Sequence, residues 1–457
     1  MRRIFNLRRY HYRPIVSIFL IMLITVTLIA GMVGCGGGGS TPIEIRTWYD
    51  LNAIRGADNL IKDYVLMNDL DSTTAGYEEV ASPTANGGKG WQPIGGVGYL
   101  AGNIFFGSFD GHGHKICDLF INRSDEKDVG LFGHVGQGIV LKGVIRNLGV
   151  VKCNVTGGEL VGGLVGASYV ANTVTNCYAT GTVTGSGFIG GLIGSASDGS
   201  AVSNCYFTGN VTGYSNVGGL LGGSNGTVSK CWATGSVTGG ELVGGLVGAN
   251  YNTVSNCYFT GSVTGNYQWV GGLVGGNAGT VSDCYATGSV TGGNQTGGLM
   301  GRNQEGTVNE SYFTGSVVGD AWAGGLVGRN YASDVSDCYA TGSVAGNYSV
   351  GGLAGRNEGN VSNSYSTGSV AGNYSVGGLV GANYGAVNNS FWDTETSGQA
   401  TSGGGTGLNT TQMQDIVAFS DAFWDIVGVT NPDIRNLSYI WNIVNNVTYP
   451  FLSWQPV

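Results

Sequence analysis

From residue 162 onward a phrase of roughly 27 residues recurs nine times, and this period constrains the chain more than any other feature. Each unit opens on Gly-Gly-Leu-x-Gly, at Gly162, Gly190, Gly218, Gly244, Gly271, Gly297, Gly324, Gly351 and Gly377. The steps between openings are 28, 28, 26, 27, 26, 27, 27 and 26 residues. A unit this short cannot bury an apolar face alone, so it must stack on copies of itself, and a solenoid is the expected product.

Within the unit, Val243-Gly244-Gly245-Leu246-Val247-Gly248-Ala249-Asn250 is followed by Thr253-Val254-Ser255-Asn256-Cys257-Tyr258-Phe259-Thr260-Gly261-Ser262-Val263. It holds three short β-prone runs separated by Gly and Asn, without helical periodicity or Pro. The expected fold is therefore all-β: a parallel β-helix, or β-solenoid, of about 27-residue coils with three strands per coil, capped at both ends. Strands of successive coils would stack about 4.8 Å apart, giving a rod on the order of 40 Å for nine repeats.

Stacking turns every repeated position into a ladder. Leu164, Leu192, Leu220, Leu246, Leu273, Leu299, Leu326, Leu353 and Leu379 form one that should face inward, and Val174 to Val387 form another. The alternation Ala179, Phe207, Ala233, Phe259, Ala286, Phe313, Ala340 sets large over small, as a densely packed interior requires. Its neighbours Tyr178, Tyr206, Trp232, Tyr258, Tyr285, Tyr312, Tyr339 and Tyr365 should then form an aromatic ladder on the surface, and they are candidate ligand contacts. Thr180, Thr208, Thr234, Thr260, Thr287, Thr314, Thr341 and Thr367 share that side. Asn250, Asn277, Asn303, Asn330, Asn357 and Asn383 are expected at turns, in left-handed conformations. Cys177, Cys205, Cys231, Cys257, Cys284 and Cys338 share one rung with Ser311, Ser364 and Ser390, which favours buried reduced thiols over disulfides or a soft-metal site.

Residues 1–34 read as an export signal, with Arg2, Arg3, Arg8, Arg9 and Arg13 before an apolar segment from Ile15 to Ala30. Gly31-Met32-Val33-Gly34-Cys35 resembles the lipobox of bacterial lipoproteins, which makes Cys35 the expected lipidation site; an uncleaved transmembrane anchor is the other reading. Residues 35–43 then hold the lipidated Cys and a flexible tether, and the lipid is the expected link to the membrane. Removing the signal leaves 15 basic residues against 29 acidic ones, a net charge of about −14, which argues against nucleic acid as a partner.

Residues 44–150 read as an N-terminal cap with irregular first coils, 151–392 as the array, 393–420 as a Gly/Thr-rich loop centred on Ser397 to Gly407, and 421–457 as a C-terminal cap. The order Tyr64-Val65-Leu66-Met67-Asn68-Asp69-Leu70, Trp91-Gln92-Pro93-Ile94-Gly95, Phe109-Asp110-Gly111-His112-Gly113-His114 and Val129-Gly130-Leu131-Phe132-Gly133 precedes the array. Together with the Gly-Gly-Leu-x-Gly repeat, this order resembles bacterial surface proteins carrying the GLUG motif. The resemblance implies a parallel β-helix on exported proteins, among them adhesin-like proteins and non-catalytic portions of immunoglobulin A1-cleaving metallopeptidases. It implies no single activity, and the chain has no His-Glu-x-x-His sequence for a peptidase zinc site.

Few residues suggest chemistry. Asp110, His112 and His114 could ligate a metal, though a Gly-rich turn, which the family resemblance already accounts for, is the simpler reading, and no metal or cofactor is expected. Asp283, Glu310, Asp334 and Asp337 are candidate acids for a polysaccharide lyase or hydrolase, with a turn role for Asp283 and Asp337 as the simpler reading; their rung is otherwise filled by Asn176, Asn204, Asn256, Asn309, Asn363 and Asn389. Arg302, Arg329 and Arg356 form a basic stripe that Glu305, Asp334 or Glu358 would neutralise, or an anion would. The expected function is that of a non-catalytic, monomeric, lipid-anchored rod at the outer membrane or cell surface, adhesin-like or binding glycans or host and matrix surfaces. A polysaccharide-degrading β-helix and an ice-binding solenoid are the alternatives.

Overall fold

The structure is a computed structural model and describes residues 41–96, 103–136 and 143–456. The export signal, Cys35 and the tether up to residue 40 lie outside the described residues. From Pro42 onward the chain forms one compact unit.

The array is a parallel β-solenoid whose coils carry four short strands, one more than the sequence suggests. One coil runs through Glu241–Gly244, Val247–Asn250, Thr253–Ser255 and Tyr258–Gly265. The extra strand arises because the run from Val243 to Asn250 breaks at Gly245. A Cβ there would lie 2.1 Å from the Gly272 carbonyl oxygen and 2.3 Å from the Phe259 ring, so the chain turns where only Gly fits. Second and third strands of all coils build one sheet; fourth and first strands build the other. Pairing is parallel and in register, as in Leu221, Val247, Val274 and in Tyr206, Trp232, Tyr258.

The fourth strand is bent at a second glycine rung. Gly181, Gly209, Gly235, Gly261, Gly288 and Gly315 have φ between 115° and 150°. A Cβ on any of the last five would lie 2.0–2.2 Å from the carbonyl oxygen of the same glycine one coil earlier, so no other residue type fits.

The interior follows the expected ladders. All nine Leu are buried, as are Ala179, Phe207, Ala233, Phe259, Ala286, Phe313 and Ala340. The Val ladder is buried from Val174 to Val361 and continues toward the N-terminus as Ile145, Phe109 and Tyr64 in the same register. That extension carries the solenoid into the irregular first coils, where Trp48 opens a short helix capped by Thr47 and Asp50 and packs against Tyr77 and Trp91.

Of the two rungs that carry asparagine, both read as turns, only one is left-handed. Asn250, Asn277, Asn303, Asn330 and Asn357 are buried within strands or at their ends, not left-handed, and pass a side-chain hydrogen bond from coil to coil, Nδ2 to Oδ1, over 2.7–3.0 Å as far as Asn383. Left-handed backbone belongs to the rung before the Cys, with φ of 44–54° at Asn176, Asn204, Lys230, Asn256, Asp283, Glu310, Asp337, Asn363 and Asn389. Glu310, not Asn309, is the member of that rung, since Asn309 lies within the strand Thr307–Asn309.

The C-terminal residues depart most from expectation. The stretch from Ser397 to Gly407, read as a surface loop, closes the last coil: Ser402 Oγ accepts from the backbone of Leu379 and Val380, and Gly378 N donates to Thr401 O. Thr406–Leu408 adds a strand beyond Phe391–Asp393. The residues after it, of which 421–457 were read as the end cap, instead lie along the side of the array. They carry short helices and a three-stranded sheet of Ile426–Gly428, Trp441–Ile443 and Phe451–Leu452. Met413, Phe419, Trp424, Trp441, Ile443 and Leu452 share a core with Tyr312, Tyr339, Tyr365 and Phe391.

Candidate functional surfaces

The aromatic ladder exists as a continuous stack. From Tyr178 to Tyr365 successive ring centroids are 4.2–5.9 Å apart and their planes differ by 2–6°. This geometry decides what the ladder can bind. From Tyr206 to Tyr339 each ring spends both faces on its neighbours, so ring edges and hydroxyls are what remain for solvent. Tyr178, Tyr206, Trp232, Tyr258 and Tyr285 are half-buried, whereas Tyr312, Tyr339 and Tyr365 are buried beneath the C-terminal segment, which corrects their placement on the surface. There the Tyr339 hydroxyl meets Gln455 and the Tyr365 hydroxyl donates to the Pro450 carbonyl. Trp454 and Trp424 donate back to the carbonyls of Glu310 and Asn389.

Another face carries Arg302, Arg329 and Arg356 in register on successive coils. Of the three acids expected to neutralise them, Glu358 does so: it pairs with both Arg329 and Arg356. Asp334 instead accepts from Asn360, at 2.7 Å. Aromatic rings fill the spaces between guanidinium groups, with Trp269 and Tyr331 against Arg302, Trp322 and Tyr331 against Arg329, and Trp322 and Tyr384 against Arg356. The sequence reading missed these partners. Their signal was the 53-residue separation of Trp269 and Trp322, two coils apart on one rung.

A corner of the coil, also missed, exposes tyrosines. Tyr214 and Tyr267 are 60% and 56% exposed and meet edge to face. Tyr267, with Asn266, Gln268, Asn294 and Asp320, borders an open depression of about 290 Å³. Three coils beyond Tyr267 and one position along, Tyr348 and Tyr374 stack at 5.0 Å.

The chemical candidates do not converge. Asp110 is taken by Arg146 at 2.8 Å and by Asn147 at 3.0 Å, and His114 meets Asp69 rather than Asp110. Burial alone would raise the Asp110 carboxyl, but these hydrogen bonds and Arg146 outweigh it and hold it below the usual carboxylate range. Among the described residues no group of three His, Cys, Asp or Glu could hold a metal ion. Asp283, Glu310 and Asp337 occupy three consecutive rungs, and burial, with like charge from neighbouring acids, raises Glu310. Burial raises Asp337 despite the bond from Trp441 Nε1 at 3.2 Å.

The Cys rung is buried and its thiols are free. Cys257 Sγ donates to the Ser255 carbonyl and accepts from Cys231 N, while Ser364 Oγ does the same toward Ser362 and Cys338. This shared pattern is why Ser and Cys alternate there. Burial pushes Cys153 up to about 12 and raises Cys338 well above the ordinary thiol value.

In comparisons with known proteins, the family model described as the GLUG motif matches residues 157–184, 185–212, 239–264, 268–291, 323–345 and 346–371. Halomucin of Haloquadratum walsbyi is 35% identical over 148 residues, 32% of this chain and 2% of that protein. A "Putative Gly-rich membrane protein" of Evansella cellulosilytica is 33% identical over 175 residues, 36% of this chain and 18% of that one. The chain thus spans a small fraction of the length of these relatives. A solved structure from Bacteroides ovatus, titled a putative immunoglobulin A1 protease, aligns over 92% of this chain and 94% of its own at 17% identity, with a TM-score of 0.32.

Proposed function

We propose that this chain, with its six GLUG-motif repeats on a β-solenoid, is a non-catalytic rod displayed at the cell envelope through a lipid on Cys35, where it contacts glycan or matrix surfaces over several coils at once. The observation that carries this reading is the register of the outward positions. Thr180, Thr208, Thr234, Thr260, Thr287 and Thr314 pair directly, as do the three arginines. A polymer of repeating chemistry would meet the same groups about every 4.8 Å, and weak contacts so arranged multiply into avidity. The names of the two relatives, Halomucin and a Gly-rich membrane protein, support an envelope location.

Because the ring faces of the aromatic ladder are occupied, glycan contact is assigned to the arginine face and the tyrosine corners. The test has two arms. Protease shaving of intact cells, with a periplasmic protein as leakage control, should release fragments between residues 162 and 392; protection until the envelope is opened would sink surface display. The purified chain should retain polysaccharides without shortening them. Depolymerised products would replace this reading with that of a polysaccharide-degrading enzyme.

A further inference from the structure

The coil does not need arginine where Arg302, Arg329 and Arg356 stand. The same rung holds Gly223, Ala249 and Gly276 before them and Ala382 after them. Three consecutive cations therefore interrupt a small-residue rung, on a chain whose net charge is −9. Stacked like charges about 4.8 Å apart repel, so the cluster weakens the fold unless something offsets it.

The rings offset part of that cost. Trp269, Arg302, Tyr331, Arg329, Trp322, Arg356 and Tyr384 alternate, with guanidinium carbons 4.6–5.9 Å from ring centroids. Glu358 offsets more, but it is one carboxylate shared by Arg329 and Arg356. Among the described residues no carboxylate is in ion-pair contact with Arg302. Glu305, three residues on, is exposed in a left-handed turn. The Nε groups of Arg302 and Arg329, Nε1 of Trp269 and Oε1 of Gln295 are buried without a hydrogen-bond partner. The array is thus built, cationic and incompletely satisfied. Arginine's planar fork suits carboxylate and sulfate oxygens, and rings that take its faces leave its N–H edges for them.

We propose that this arginine–aromatic array binds the carboxylate or sulfate groups of an acidic polysaccharide, with Arg302 as the unpaired cation and Arg329 and Arg356 extending the contact along the polymer. The inference rests on the glycan-contact reading above and names its ligand class. A polymer is favoured over a free anion because the cations span three coils. Tyr331 and Tyr384, 38% and 71% exposed, border them with apolar surface.

The test is retention of the purified chain on immobilised polygalacturonate, chondroitin sulfate and neutral dextran, at low and at physiological salt. Binding to the acidic polymers, weakened by salt and absent on dextran, is expected. Arg302→Ala places on this rung the residue found at Ala249 and Ala382, and should weaken binding about tenfold, the equivalent of one charge-assisted contact. Glu358→Gln frees two guanidinium groups and should tighten binding; it carries the test alone if Arg302→Ala does not fold. Retention on polygalacturonate identifies carboxylates as sufficient, whereas retention confined to chondroitin sulfate, which carries both groups, assigns the contact to sulfate. Equal retention on dextran, or acidic binding indifferent to both substitutions, overturns this site while leaving a glycan-binding rod intact. No retention on any polymer also overturns it, and cell shaving then decides surface display independently.

Discussion

Two stretches of one aromatic ladder differ in what covers them. Tyr206, Trp232 and Tyr258 hold their places by stacking alone and remain half-buried, whereas Tyr312, Tyr339 and Tyr365 stack identically yet are sealed beneath Trp424, Trp441 and Trp454. Periodicity specifies the rung and the direction a side chain takes from it. Whether that side chain meets water or protein depends on a non-repeating segment, so identical repeats acquire different environments.

The largest test of this difference removes its cause. Ending the chain after Leu408 keeps the strand that closes the last coil and deletes the lateral segment. Backbone amides of the strands from Tyr285 to Tyr365 should then exchange as fast as those from Tyr178 to Tyr258, and the uncovered ring edges should promote self-association visible by light scattering. Unchanged protection at Tyr339 and Tyr365 would mean that stacking alone holds the ladder, and the two stretches would be energetically one.

Single substitutions sharpen the same point. Tyr365→Ala removes a buried ring packed against Trp424, Trp441 and Tyr449 and should cost about 3–5 kcal/mol in urea unfolding followed by tryptophan fluorescence. Tyr206→Ala loses stacking on two neighbours but little burial, and should cost about 1 kcal/mol. Equal losses would break the comparison.

How much was legible beforehand follows the same division. The Leu and Val ladders and the Ala/Phe alternation could be read because each rung has one inward solution, set by volume and by alternation along a strand. The extra strand was hidden because Gly245 looks like a member of a strand until Phe259 is placed against it. The Asn250 rung was read as a turn because Asn serves both a left-handed turn, as at Asn256, and a buried amide chain, as at Asn250. Glu358 could be named but not chosen among three acids, since choosing needs side-chain reach. The placement of the lateral segment was illegible: Trp441 and Trp454 recur at no period, and their partners lie 104 and 144 residues away.

A smaller effect distinguishes the left-handed rung in the two stretches. It holds Asn256 on the open side, and Asp283, Glu310 and Asp337 toward the covered one. Burial raises Glu310, and Asp283, Asp337 and Asp425 add to it. An acid whose folded value is raised binds its proton more readily when folded. Its contribution is therefore favourable at low pH and is lost as pH rises past the ordinary Glu range and through the raised value. Glu310→Gln should raise the melting temperature at pH 7 and leave it nearly unchanged at pH 4. A gain of equal size at both would assign the effect to packing.

The smallest expected change concerns the Cys rung, unbroken from Cys177 to Cys284 and mixed with Ser beyond. Cys257 accepts from Cys231 N at 3.3 Å and donates to Ser255 O at 3.1 Å. Ser364, in the covered stretch, makes the equivalent pair at 3.1 and 2.7 Å. Cys257→Ser converts an open-stretch rung into a covered-stretch one with both bonds kept, and should shift stability by less than about 1 kcal/mol. Cys257→Val keeps the bulk but strands the Cys231 amide away from water, and should cost about 1–3 kcal/mol. If Ser and Val proved equally tolerated, the rung would be selecting for size alone. The exchange of Ser for Cys along the array would then reflect volume rather than hydrogen bonding carried from coil to coil.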